Sequence, residues 1–351
     1  MYIYFNIMYL KLTTTIFGIV ISLVTSSYFL NSFYSKFFIE NFSKTKHINL
    51  YTPEPQNSHN QLQENEENKS SVNHQINSVI KPEDKIRFEQ IIQYSKTNNL
   101  KKKPVGEVMS AIAQQFLGTP YQVNLLDQSD QERLIISLTQ FDCFLFIETV
   151  LALTRGIKQE DQHFNHFQER VMEQRYRDGE MNGYCSRLHY FSEWIRDNEK
   201  KKTIIDITSK LGGIVMNKNL NFMSKNRHLY PRLINSDKNY QCIQNMENNL
   251  KYMKIHYLPT SQIRSIEHLL KPGDIIGVAT EIKGLDVSHT GLITKVSQEK
   301  VSLIHASPSG EVTIASDLAR YVSNVPSAQG ILVARPLIQK SNMHNLEQTQ
   351  K

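Results

Sequence analysis

With 351 residues, the chain leaves room for one catalytic domain with a sizeable core after its first roughly ninety residues are set aside. Basic residues outnumber acidic ones 40 to 34, and the formal net charge of +6 is spread along the chain, which suits a polyanionic surface. Zinc-finger spacing, a basic helix with heptads and a phosphate-cradling glycine loop are missing, so the sequence gives no support for nucleic-acid binding.

From Leu12 to Ser35 no residue is charged, and the apolar run through Ile16, Phe17, Ile19, Val20, Ile21, Leu23 and Val24 is long enough to span a bilayer. Val24-Thr25-Ser26 makes a poor cleavage site, so residues 1–41 read as an uncleaved membrane anchor, with a signal segment as the alternative. Lys11 precedes the run while Lys36, Lys44 and Lys46 follow it, a count that opposes export. Orientation therefore rests on function. Residues 42–97 are polar and nearly free of apolar periodicity before Ile86, which predicts a disordered tether. A folded domain is expected over 98–338, followed by a polar tail over 339–351.

Thr139 to Gly156 predicts a buried helix, with Asp142 as its cap, Cys143 at its first position and Gly156 at its end. A thiol there faces unsatisfied N–H groups and the positive end of the helix dipole, which favour thiolate. The same N–H groups could hold an oxyanion on an attacked carbonyl. Cys143, Cys185 and Cys242 cannot all pair within the chain, and Cys185 and Cys242 read as inert buried thiols, with a disulfide as the alternative outside the cytoplasm.

Leu188, Phe191 and Ile195 have helical spacing and predict a core-facing stripe, which leaves Arg187, His189, Tyr190 and Trp194 either to line a groove or to cover the core. His163 and His166 stand three apart but lack a carboxylate in a zinc-ligand pattern, so no metal and no cofactor is expected. Lys271-Pro272-Gly273-Asp274 predicts a turn into a strand over Ile275 to Thr280. A hairpin follows, with His289 on one strand and His305 on the other. Because side chains alternate, the two histidines can cooperate only in an even register, for instance with His289 roughly opposite His305 across a five-residue loop. His305 could then orient His289, which would take the proton of Cys143.

Gly118-Thr119-Pro120-Tyr121, Phe141-Asp142-Cys143, Pro272-Gly273-Asp274, Ser288-His289-Thr290-Gly291 and Ile304-His305-Ala306-Ser307 stand in the order used by NlpC-type papain-like cysteine cell-wall hydrolases, which the chain resembles. That family usually continues Asp-Cys with Ser-Gly, whereas Phe144 and Leu145 follow here. Arg187 to Ile195, Leu211-Gly212-Gly213, Met223-Ser224 and Gly284 to His289 resemble the N-acetylmuramoyl-L-alanine amidase-like branch. The resemblance implies Cys143 as nucleophile, His289 as base, His305 as orienter and Tyr121 beside the nucleophile. Candidate substrate-binding residues are Tyr121, Asp142, Arg187, His189, Tyr190, Trp194, Ser288 and Ser307.

The expected fold is α+β and papain-like, with a helical half carrying the cysteine packed on an antiparallel sheet carrying the histidines. The expected partner is peptidoglycan or its fragments, with the membrane engaged through the N-terminal segment. The competing readings are a stem-peptide endopeptidase, a thiol acyltransferase and an inactive wall-binding module.

Overall fold

A computed structural model of the protein describes residues 78–295 and 301–337. The apolar run of 12–35 and the tail of 339–351 lie outside those residues. Among the described residues no helix is long and apolar enough to cross a membrane.

The domain begins earlier than the polar composition predicts. Strand β1 (Ser78–Val79) pairs in parallel with β2 (Leu134–Ile135), and helix α1 (Pro82–Thr97) occupies the C-terminal end of the expected tether. Phe88, Ile91 and Ile92 are buried in the core at i, i+3 and i+4, a stripe just wide enough to dock an otherwise polar helix. The buried Asp84 carboxylate accepts hydrogen bonds from Leu138 N at 2.8 Å and Thr139 Oγ1 at 3.0 Å. Residues 78–97 therefore belong to the folded domain.

Helices α2 (Val105–Gln114), α3 (Cys143–Gln159), α4 (Phe164–Arg175), α5 (Phe191–Lys200) and α6 (Asp237–Leu250) follow. Instead of stopping at Gly156, α3 runs one turn further, to a left-handed Glu160 (φ 60°). Gly156 serves packing: a Cβ there would lie 2.5 Å from Arg170 Nη2 of α4. Cys185 and Cys242 form a disulfide across 6.2 Å between Cα atoms, tying the segment before α5 to α6 and correcting the expectation of two free thiols.

An eight-stranded sheet, antiparallel throughout, forms the second half. Its strands are β3 (Ile204–Asp206), β4 (Ile214–Val215), β5 (His256–Pro259), β6 (Ile275–Thr280), β7 (Val287–Lys295), β8 (Val301–Ala306), β9 (Val312–Ala315) and β10 (Ala328–Pro336). They lie in the order β4-β5-β10-β6-β7-β8-β9, with β3 also on β10. Alternation splits the central strands between two cores. Ile275, Ala279, Leu292 and Ile304 face the helical layer, while Ile276, Val278, Ile293 and Leu303 face a second core that includes Leu318 and Val322 of helix α7 (Leu318–Asn324). The Pro272-Gly273-Asp274 turn is structural. Gly273 adopts φ +82° against Gly106, and the Asp274 carboxylate clamps Arg335 of β10 with two 2.8 Å contacts.

Candidate active site

Two elements built by different rules meet at Cys143. On the helical side, extended Asp142 (φ −91°, ψ 175°) caps α3, its Oδ1 accepting from Phe144 N and Leu145 N at 2.8 Å each. The helix is buried from Cys143 through Ile157, which fixes its start in space. The predicted cap is therefore present, with a cost to another expectation: two of the N–H groups considered for an oxyanion are taken by Asp142.

On the sheet side, Val278 pairs with His289 but Ala279 pairs with Val287, so Ser288 is a bulge residue. Such an insertion re-aims the strand. Leu292 lies opposite Ile304, a register that puts His289 and His305 on one face, two residues away from direct opposition. The register is even, as cooperation requires. His289 Nε2 lies 2.8 Å from His305 Nδ1, with the rings edge-on at 87°. Next to His289, Thr290 donates its hydroxyl to the Cys143 carbonyl at 2.8 Å. Tyr321 of α7 closes the cluster, its ring 4.7 Å from that of His305 and 6.1 Å from that of His289.

Electrostatics here run against the helix-dipole expectation. Burial, followed by the Asp142 carboxylate, pushes the Cys143 thiol up to about 12, and hydrogen bonds from Thr290 counter this only in part. Burial, then His305, holds His289 well below the usual imidazole range, and burial lowers His305 to about 4. The resting groups are thus a neutral thiol and neutral imidazoles. Burial also pushes the Tyr121 and Tyr321 phenols up, and both feel the charge of Cys143.

The remaining candidates divide. Tyr121 stands beside the thiol, bridged in backbone to Phe141. Arg187 and His189 line a small cavity of about 50 Å³ next to Phe144. Arg187 is held by Asp127 Oδ1 at 2.5 Å and Leu126 O at 3.0 Å, and His189 Nε2 lies 2.9 Å from Tyr184 O. Burial and then Arg187 push His189 down to about 3. Tyr190 and Trp194 belong to the core, each almost fully buried, so neither presents a ring face to a sugar. Tyr190 donates to Glu247 Oε1 at 2.8 Å, and Trp194 stacks on Phe191 at 5.7 Å. Ser307 is tied into a turn with Ser309 (Oγ to Oγ, 2.6 Å), and the Ser288 hydroxyl is buried with no hydrogen-bond partner among the described residues. His166 pairs with Asp161 at 2.6 Å, and among the described residues no three His, Cys, Asp or Glu side chains converge as metal ligands.

Three contributors had no role in the sequence reading. Thr290 lay inside a quoted motif, yet its contact with Cys143 spans 147 positions. Asp286 caps α5 from another element, its Oδ2 accepting from Ser192 N at 2.7 Å and Ser192 Oγ at 2.6 Å. That contact joins the Arg187-to-Ile195 and Gly284-to-His289 motifs into one unit. Tyr321 carries no motif at all.

The same arrangement of helices and antiparallel sheet occurs in solved structures. A crystal structure of an N-acetylmuramoyl-L-alanine amidase from Bacteroides uniformis matches at 30% identity and a TM-score of 0.62, over 66% of this chain and 98% of that one. A Bacteroides fragilis protein provisionally described as a xylanase matches at 33% identity and 0.58, over 64% and 98%. A Legionella pneumophila protein shares the fold at 22% identity and 0.55, over 73% and 96%. Among curated proteins, none matches. The chain belongs to the N-acetylmuramoyl-L-alanine amidase-like family, whose model matches residues 111–331, from within α2 into the first half of β10.

Proposed function

We propose that the protein is a cysteine hydrolase with a papain-like, NlpC-type fold that cleaves the amide between N-acetylmuramic acid and L-alanine in peptidoglycan or its fragments. The observation that carries this reading is the pairing of His289 with His305 beside Thr290, whose hydroxyl ties the Cys143 carbonyl at the helix start to the strand of His289. His289 Nε2 is engaged with His305, so Nδ1 is the ring atom that takes a proton. As sulfur bonds to the carbonyl carbon, the thiol proton passes to His289 Nδ1 and the carbonyl π pair moves to oxygen. Collapse of the tetrahedral adduct breaks the C–N bond, His289 returns the proton to the departing amino nitrogen of L-alanine, and the lactyl carbonyl of the sugar stays on Cys143 as a thioester. Water, deprotonated by His289, then cleaves the thioester and regenerates the thiol.

The amide chosen follows from family membership and from the B. uniformis neighbour's name. Glycoside cleavage needs two carboxyl groups flanking the bond. The carboxylate beside Cys143, Asp142, is occupied as a helix cap, which favours the amide reading over the B. fragilis description. The Cys185–Cys242 disulfide supports an oxidising compartment outside the cytoplasm, with residues 12–35 as anchor or signal.

Muramyl tripeptide or tetrapeptide should be split into intact sugar and a peptide beginning with L-alanine, read by mass spectrometry. A sugar still carrying L-alanine and D-glutamate would mean the stem-peptide bond is the target instead.

A further inference from the structure

We propose that Tyr321 is a further catalytic residue, whose phenolic hydroxyl donates a hydrogen bond to the oxyanion formed when Cys143 attacks a carbonyl. This rests on the thiol-nucleophile reading above. Negative charge developing on that oxygen needs donors fixed in advance. The nearest helical candidates, Phe144 N and Leu145 N, are already held by Asp142 at 2.8 Å. That leaves Cys143 N at the helix start, and a second donor must come from elsewhere.

Two phenols stand by the thiol, Tyr121 and Tyr321, and both are partly exposed while Cys143, His289 and His305 are buried. Both phenols are thus more open to solvent than the sulfur. Tyr321 is held firmly. Leu318 and Val322 of its helix are buried in the second core, Asp317 caps that helix through Arg320 N at 2.9 Å, and Arg264 grips Asp317 at 2.8 and 2.9 Å.

Its hydroxyl, however, is loosely held. It lies 3.5 Å from His305 Nδ1, whereas His289 Nε2 lies 2.8 Å from the same nitrogen. A neutral imidazole nitrogen has one lone pair to offer, and the shorter contact uses it. The phenol proton can thus rotate to a substrate oxygen without breaking a good hydrogen bond. Burial, then Cys143, pushes this phenol above its ordinary range, so it stays protonated as a donor.

Tyr321→Phe keeps the ring against His305 and removes only the donor. In the full chain we expect kcat for the muramyl peptide amide to fall by about 10²-fold, with KM little changed. Alkylation of Cys143 by iodoacetamide, which forms no oxyanion, should proceed at the wild-type rate, and the acid limb of the pH profile should not move. Unchanged kcat would overturn the proposal. So would an equal loss of hydrolysis and alkylation, or a displaced acid limb, since either would mean that Tyr321 acts through the histidines. Undiminished hydrolysis by Cys143→Ala would remove the nucleophile reading itself, and with it this proposal.

Discussion

On its helical side Cys143 sits beside the Asp142 carboxylate, which raises the thiol pKa, and on its sheet side it meets Thr290, whose hydrogen bonds lower it. The helix terminus is usually credited with making thiolate. Here its N–H groups are shared with a capping carboxylate, burial dominates, and the strand supplies the groups that favour ionisation. Cys143 is thus placed by the helix, while the groups that lower its pKa come from the strand.

The comparison breaks most sharply if the strand histidines prove unnecessary. Cys143→Ala should abolish hydrolysis, and His289→Ala should lower kcat by roughly 10²–10⁴-fold. His305→Ala should retain a larger residual rate, because it orients the base without touching the substrate. Near-normal turnover in His289→Ala would assign proton transfer to another group.

Thr290→Val tests the strand's hold on sulfur. Losing a hydrogen bond to a group that becomes charged costs about 1.5–3 kcal/mol, so kcat/KM and the alkylation rate should both fall by about 10- to 100-fold. If neither changes, Thr290 is only a structural tie to the Cys143 carbonyl.

The pH dependence sharpens the same contrast. The base must be neutral to accept a proton, and burial and His305 depress its pKa, so the acid limb of kcat/KM should lie well below the 6.5 of an ordinary imidazole. With the thiol raised to about 12, alkylation of Cys143 in the free enzyme should keep rising through pH 9 and show no plateau near neutrality. A plateau at pH 7 would identify a preformed thiolate and reverse the electrostatic assignment.

The smallest effect belongs to the cap. Asp142→Asn retains a capping oxygen but removes the charge, so alkylation at pH 8 should accelerate a few-fold while the thermal midpoint moves by only a few degrees. Slower alkylation would mean that the carboxylate assists the thiol.

What the sequence made legible is what local rules govern. Alternation and turn chemistry placed the histidine hairpin, and Asp142 with its apolar run placed the start of α3. The misreadings share a different cause, which is partners distant in sequence. Nothing local distinguishes Tyr190 and Trp194 as groove residues from Tyr190 and Trp194 as core, and Phe144, Phe191 and Glu247 decide it. The disulfide closes a separation of 57 residues, and α1 docks through three apolar side chains in a polar segment. The helix start that favours thiolate can be read from sequence, whereas the burial that raises the Cys143 thiol cannot.

The bulge at Ser288 has a consequence for how this segment can change over generations. Val287 belongs to the core under the helices, whereas His289 shares the opposite face with Ile293, although strict alternation would put 287 and 289 together. The additional residue resolves that conflict of parity. Between Asp286 and His289 the chain is therefore constrained by how many residues it has more than by which ones. Small side chains could replace one another at 288, but losing or gaining a single codon would turn either the Asp286 cap or the His289 ring to the wrong side.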